Sequence, residues 1–452
     1  MIKIIVTVGP KCNDEKSIKE FSKKTNLFRL NGSHGTLDWH RKTVKVIRKI
    51  CPKAFILMDI PGIKPRTNNS KDIFIERGQE VIFGIPPLNE KRLNIALTKK
   101  IPKHDENLSY FSVNDGQYAF DVVDSGDEYI VGRSRSGFKL LEKKGINLPN
   151  SIYDEEQQLK IYQDFLDKIS DIDIDGLGLS FVQTGDLVDQ IRNVASNLIL
   201  VAKIENLEGF RNCINIVNQS DAVMIDRGDL AAEIGFDRLF DAINVISDQT
   251  KAHGKALIMA TENLETMVDR ELPSKSEVMS IAHSVSNGVD CFMLSEETAT
   301  AETGQQIVSW LYKFLKTCRR VNKPKFSSTV ENKFPAIWRS LANLDRQLPI
   351  VLVTKSGYAL FEYFSTVPEG EVFLVTNNLS LLKLCDLYAN DITIIQEEIG
   401  NSPTEMIWDL VETNKSLLFK KNNQIAVLYV SKYISTARAN SITIFDRADF
   451  GY

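Results

Sequence analysis

Through the first two-thirds of the chain, short apolar, β-branched runs alternate with stretches whose apolar positions recur every three to four residues. The runs lie at residues 2–8, 27–30, 54–58, 176–181, 198–204, 222–225, 256–260 and 291–294, with helical stretches at 154–169, 206–217, 236–253 and 276–286 between later ones. An unbroken apolar run suits a strand buried on both faces, and a helix between successive strands makes them parallel. Eight such strands predict an α/β fold, a closed (β/α)8 or TIM barrel.

Two stretches break the alternation. Between the third and fourth runs, residues 67–144 show short alternating strands and a turn signal, Asn114-Asp115-Gly116, which predicts an inserted small all-β domain. After the eighth run, a helix over 304–320 leads into a Pro- and Lys-containing stretch at 322–326. New strands are expected at 349–353, 372–375, 392–395, 425–430 and 442–445. The expected organisation is a barrel of residues 1–66 and 145–325, a β-barrel lid domain of 67–144 and a C-terminal α/β domain of 326–452.

Composition narrows the function classes. The 452 residues carry 55 Lys and Arg against 59 Asp and Glu, a net charge of -4, so no global positive field draws nucleic acid or an anionic membrane. No apolar run is long enough to span a membrane. The six cysteines are scattered without a C-x-x-C pair, which fits reduced thiols in a cytoplasmic protein.

In such a barrel, chemistry belongs to the C-terminal ends of the strands, and polar residues gather there. Arg29, Asn31, Ser33 and His34 end the second strand, Asp59 the third, Ser180 the fourth, Lys203 and Glu205 the fifth, Thr261 the seventh, and Ser295 and Glu297 the eighth; Asp229 follows the sixth. Lys203 and Glu205 stand two apart, which on a strand puts a cation and a carboxylate on one face. Glu205 with Asp229 offers the two carboxylates that Mg²⁺ commonly takes, while Arg29 and Lys203 can neutralise a phosphoryl group in flight.

These residues lie in longer strings: Val6-Thr7-Val8-Gly9-Pro10, Arg29-Leu30-Asn31-Gly32-Ser33-His34-Gly35, Lys143-Lys144-Gly145-Ile146-Asn147-Leu148-Pro149, Lys203-Ile204-Glu205-Asn206, Arg227-Gly228-Asp229-Leu230 and Leu294-Ser295-Glu296-Glu297-Thr298. In order and spacing they resemble the pyruvate kinase family over nearly the whole chain. The resemblance implies transfer of the phosphoryl group of phosphoenolpyruvate to ADP with Mg²⁺ or Mn²⁺. It gives Lys203 the role of catalytic lysine, Glu205 and Asp229 those of metal ligands, and Thr261 that of the threonine beside the reacting enolate carbon. Arg29 and Ser180 match groups near the phosphoryl, Gly228 a backbone contact to the substrate carboxylate, and His34, Asn31, Arg66 and Lys144 the nucleotide side. A homo-oligomer, a tetramer in many members, is expected on the same ground.

The chain also departs from the family. Its Asp59-Ile60-Pro61-Gly62-Ile63-Lys64-Pro65-Arg66 keeps only Asp59, Gly62 and Arg66 of the usual string. Asn31, Ser33 and Asp59 match a K⁺ site, and Lys64 stands where the family has a nearby glutamate. A tethered ammonium in place of K⁺ predicts activity without added K⁺. Asp226 replaces a small residue beside the substrate carboxylate, Glu262 a glutamine, Lys275 an arginine and Glu296 a glycine. Added acid at the mouth points to weaker phosphoenolpyruvate binding or another enolate acid, unless Lys275 compensates. The loop Thr354-Lys355-Ser356-Gly357 resembles the family's site for a sugar-phosphate effector, but Tyr358 and Ala359 follow where arginine and serine would strengthen it. Two alternatives thus stand beside the kinase: a metal-dependent barrel enzyme handling another enolate, and a catalytically weak regulatory paralogue.

Overall fold

The computed structural model describes residues 1–86, 92–105, 107–318, 348–365, 370–400, 403–430 and 441–451; the stretch at 322–326 and the expected boundary at 325/326 lie outside these residues. Eight parallel strands close into a barrel: β1 (Lys3–Thr7), β2 (Leu27–Asn31), β3 (Phe55–Ile60), β4 (Gly176–Leu179), β5 (Ile199–Ile204), β6 (Ala222–Asp226), β7 (Ala256–Ala260) and β8 (Cys291–Leu294). Each falls on one of the eight apolar runs. Alternate residues divide between two cores: Ile5, Leu27, Leu57, Val201, Met224, Ile258 and Met293 fill the barrel, while Ile4, Phe28, Met58, Ala202, Val223 and Phe292 pack under the helices.

The helices start where side chains can take up free backbone N–H groups. Asp154 caps the helix Glu155–Ile169 by accepting from Gln157 N, and Ser274 with Glu277 forms a capping box at Lys275–Ser286. The helical stretch expected at 206–217 is two helices, Leu207–Arg211 and Cys213–Gln219. They part at Asn212, whose backbone leaves the helical region. The stretch expected from 236 is helical only over Leu239–Ala252, after Gly235 with φ 95°.

Between β3 and β4 the inserted strands pair as a six-stranded sheet and a two-stranded ribbon. This unit stands at the C-terminal end of the barrel strands. Arg66 bridges Gly145, and the Lys99 amine, 2.5 Å from Gly62 O, donates to it. The turn at Gly116, with φ 87°, lies against Ala232 and Phe236. The C-terminal unit is a five-stranded sheet built from Ile350–Val353, Val372–Val375, Ile392–Ile395, Gln424–Tyr429 and Ser441–Asp446, its last strand antiparallel. It docks on the opposite end of the barrel. Asn26, Asp175 and Asp290 each precede a barrel strand, and they meet Asp386 (3.0 Å), Lys383 (2.8 Å) and Ala389 N (3.2 Å). The mouth is thereby left to the barrel loops and the inserted unit. Among the described residues, no helix is long and apolar enough to cross a membrane.

Candidate active site

Barrel register sets the side chains of the mouth beside one another. Asn31 pairs with Asp59, Asp59 with Gly178, Lys203 of β5 with Met224, and Asp226 with Ala260, all near the C-terminal ends of their strands. Gly178 is required here, because a Cβ on it would stand 2.1 Å from Asp59 Oδ1.

Lys203 is the hub. Its Nζ lies 2.5 Å from Glu205 Oε1 and 3.5 Å from both Asp59 Oδ2 and Asp226 Oδ2. Arg29 holds the same Asp59 oxygen from its Nε (3.1 Å) and Nη2 (2.7 Å) and donates to Thr7 Oγ1 at 3.2 Å. Burial alone would push Asp59 up, but Arg29 and Lys203 outweigh it and hold the carboxyl below its ordinary value. Burial likewise disfavours the Lys203 ammonium, and Glu205, Asp59 and Asp226 more than reverse that. Glu205 accepts from Phe181 N at 2.7 Å; its burial, opposed by Lys203 and reinforced by Asp226 and Asp229, raises its pKa.

The carboxylates needed for a divalent cation are close together. Oxygens of Glu205, Asp226 and Asp229 all lie within 4.8 Å of one another. Hard oxygen donors at this spacing fit Mg²⁺ or Mn²⁺. Asp226, an uneasy replacement in the sequence, is thus part of the cluster, and its Oδ1 accepts from Thr261 Oγ1 at 3.0 Å. Gly228 N donates to the same Thr261 oxygen at 3.2 Å. Thr261 and Glu262 both have positive φ, 57° and 49°, in the turn leaving β7. Arg227 points away from the cluster and is spent on that turn: it donates to Ala260 O, Thr261 O, Asn263 Oδ1 and Ser280 Oγ.

Lys64 is buried, and its amine is paired with Asp229 and, at 2.8 Å, with Asp115 of the inserted turn. Those two carboxylates raise its pKa against the opposing effect of burial. Asn31, Ser33 and Asp59 are engaged otherwise: Asn31 Oδ1 accepts from Ser33 N at 3.0 Å, while Asp59 faces Arg29 and Lys203. Among the described contacts, Lys64 meets the acid of the expected divalent site rather than the expected K⁺ trio.

A basic group stands beside this centre. Arg66 donates to Lys143 O at 3.2 Å, and Lys144 N to Thr67 Oγ1 at 3.1 Å. His34 is surface-exposed; packing around its ring, then the charges of Arg66, Arg29, Lys143 and Lys144, lowers its pKa. Ser180 is buried at the end of β4, its Cβ against Gly62.

Other sequence candidates have different duties. Glu297 is buried and accepts from Ser295 N (2.6 Å) and Leu264 N (3.3 Å), so it fixes backbone. Lys275 and Glu296 are exposed. In the loop after Ile350–Val353, Thr354 Oγ1 accepts from Gly357 N and Ser356 Oγ from Tyr358 N, which commits its hydroxyls to the loop itself. Sequence reading missed a buried trio under Asp229. Asn147 Nδ2 donates to Asp229 Oδ1 (3.3 Å) and to Glu233 Oε1 (2.9 Å), where Tyr153 OH also donates (2.9 Å). Burial first, with Asp229 adding, pushes Glu233 up to about 8. Glu233 lies one helical turn beyond Asp229, a spacing that could have flagged it.

Known proteins resemble the chain over much of its length. Residues 1–308 match the family described as pyruvate kinase, barrel domain. The chain is 30% identical over 362 residues to a pyruvate kinase of Dictyostelium discoideum, covering 75% of this chain and 70% of that protein. It is 29% identical over 425 residues to a pyruvate kinase of Hypocrea jecorina, covering 85% and 77%. Against a pyruvate kinase of Nicotiana tabacum named as a cytosolic isozyme, identity is 32% over 314 residues, covering 66% and 62%.

Proposed function

The chain belongs to the pyruvate kinase family, and from that premise we propose that it transfers the phosphoryl group of phosphoenolpyruvate to ADP, giving pyruvate and ATP. The observation that carries this reading is the Lys203 ammonium set among Glu205, Asp59 and Asp226, beside Asp229. Moving a phosphoryl group between two anions is chiefly a matter of positioning and neutralisation, and the mouth is built for both. Glu205 and Asp229 hold the divalent cation, Mg²⁺ or Mn²⁺, which when bound supplies positive charge to the transferring oxygens.

In this reading Lys203 faces the phosphoryl group from the barrel floor. Arg29, fixed by Asp59 and Thr7, adds a second cation, and Ser180 lines the same side. Gly228, at the start of the helix Arg227–Ile234, offers its backbone to the substrate carboxylate, with Asp229 one residue on. Thr261 takes the role of the hydroxyl that hands a proton to the enolate carbon. His34, Arg66, Lys144 and Asn31 take the nucleotide side, where the positive charge at the edge of the inserted sheet suits a diphosphate.

We assign K⁺ no essential role. Asp59 already has two fixed cations, and Lys64 contributes a third at Asp229. Exposed Phe240 and Met279, on helices joined by the Phe240–His283 ring contact, support a homo-oligomer. A cytoplasmic location follows the reading as a metabolic kinase. The alternative of another enolate acid is favoured by one feature, the Thr261 hydroxyl already donating to Asp226. The deciding test is product analysis: pyruvate and ATP formed with ADP as sole acceptor supports the kinase, and turnover of a different enolate without ATP refutes it.

A further inference from the structure

We propose that Asp226 is a third carboxylate ligand of the divalent cation, so that the free chain holds the cation on protein groups alone before substrate arrives. This rests on the kinase reading for the presence of a divalent cation at the mouth, and goes beyond it in ligand number and order of binding.

Charge balance comes first. Among the described residues, the cluster holds five carboxylates, Asp59, Asp115, Glu205, Asp226 and Asp229, against three fixed cations, Arg29, Lys64 and Lys203. The acids outnumber the cations by two, and all of these side chains except those of Asp115 and Asp229 are almost wholly buried. A divalent cation adds positive charge where buried acids outnumber cations.

Geometry then selects Asp226. Its Oδ1 is fixed by Thr261, while its Oδ2 stands 3.5 Å from a Lys203 amine that is committed more closely to Glu205 at 2.5 Å. Among the described residues, the cation nearest Asp226 is therefore shared with Glu205 and Asp59. As the last residue of β6, in register with Ala260, it is held on both backbone and side chain, as a ligand should be. A second observation comes from Asn147, which has no exposed surface. It reaches Asp229 with its amide and keeps a buried Oδ1 without a hydrogen-bond partner. An amide oxygen left unpaired among the described residues, on a side chain whose nitrogen already holds Asp229, is one that a water of the ion's shell can satisfy.

The chemistry has a consequence for substrate. Asp226 occupies both a position at the cation and the Thr261 hydroxyl, two contacts that an incoming carboxylate would otherwise use. The cation is bound early and tightly, and the substrate gains fewer new contacts on arrival.

The test is Mn²⁺ titration of the full chain, with no substrate, followed by electron paramagnetic resonance of the free ion. Wild type is expected to bind one Mn²⁺, with affinity about tenfold or more weaker in Asp226→Asn and Asp226→Ala. Asp226→Asn keeps the shape and the Thr261 contact, so it separates loss of a ligand from local collapse. A thermal melt without Mn²⁺ is expected to show both variants folded, with a smaller Mn²⁺-induced rise in Tm than wild type. Equal Mn²⁺ affinity in wild type and Asp226→Asn, or no binding by wild type, overturns the proposal. Asp226-dependent Mn²⁺ binding in a protein that makes no pyruvate would refute the kinase and leave this inference standing. Pyruvate formation with unchanged Mn²⁺ binding in Asp226→Asn would do the reverse.

Discussion

Replacing Glu233 with glutamine is expected to stabilise the protein at alkaline pH and to leave it nearly unchanged at mildly acidic pH. Glu233 has no exposed surface, and one carboxyl oxygen receives Asn147 and Tyr153 at 2.9 Å each while the other has no partner among the described residues. Burial raises its pKa from 4.5 to about 8, so between those values the folded chain holds a proton that the unfolded chain has released. Its stabilising contribution is complete below pH 4.5 and is lost as pH rises through about 8. A shift of that size carries roughly 3 to 4 kcal/mol between pH 5 and pH 8 at about 1.36 kcal/mol per unit. Glutamine mimics the protonated acid, accepting the same two hydrogen bonds without a titrating group. Urea unfolding of wild type and Glu233→Gln, followed by far-UV circular dichroism at several pH values, isolates the effect, since other titrating groups are common to both. The stability difference should open in favour of glutamine by a few kcal/mol as pH rises. A difference independent of pH, or a wild type that is the more stable at pH 8, would refute the assignment of a buried, protonated Glu233.

Gly178→Ala places a methyl group 2.1 Å from Asp59 Oδ1, and the strain is expected to cost about 1–3 kcal/mol in a thermal melt and to lower activity by displacing Asp59 from Arg29 and Lys203. An unchanged Tm would contradict the close approach. Arg227→Lys removes a fork spent on Ala260 O, Thr261 O, Asn263 Oδ1 and Ser280 Oγ, and is expected to destabilise by about 3 kcal/mol despite keeping the charge. Tolerance of lysine there would show that the turn at Thr261 does not need the fork. Lys64→Glu removes the amine shared by Asp229 and Asp115, and pyruvate formation should then rise with added K⁺ in a titration where wild type stays flat.

The barrel was legible because strands covered on both faces need unbroken apolar runs, and eight such runs coincide with β1–β8. Helix limits were less so. Asn212 and Gly235 interrupt helices through backbone conformation at single residues that the apolar period does not register. At the mouth, Lys203 and Glu205 could be read as neighbours because their spacing of two is local to one strand. Asp115 with Lys64 and Asn147 with Glu233 could not, since each pair joins the inserted unit or its return strand to the barrel across a long stretch of chain. Glu297 illustrates the opposite error. It sits among mouth residues in sequence, but its carboxylate turns to Ser295 N and Leu264 N, an orientation no spacing rule gives. Asp226 is visible in the sequence as an added acid; that it converges with Glu205 and Asp229 depends on the barrel closing.

The most direct measurement is formation of pyruvate by the purified chain from phosphoenolpyruvate, ADP and Mg²⁺, with and without K⁺, beside a Lys203→Met control. Pyruvate and ATP in equal amounts, independent of K⁺ and lost in the control, is the expected result. No pyruvate under either condition from a folded protein that binds Mn²⁺, or equal activity in Lys203→Met, would contradict phosphoryl transfer at this mouth.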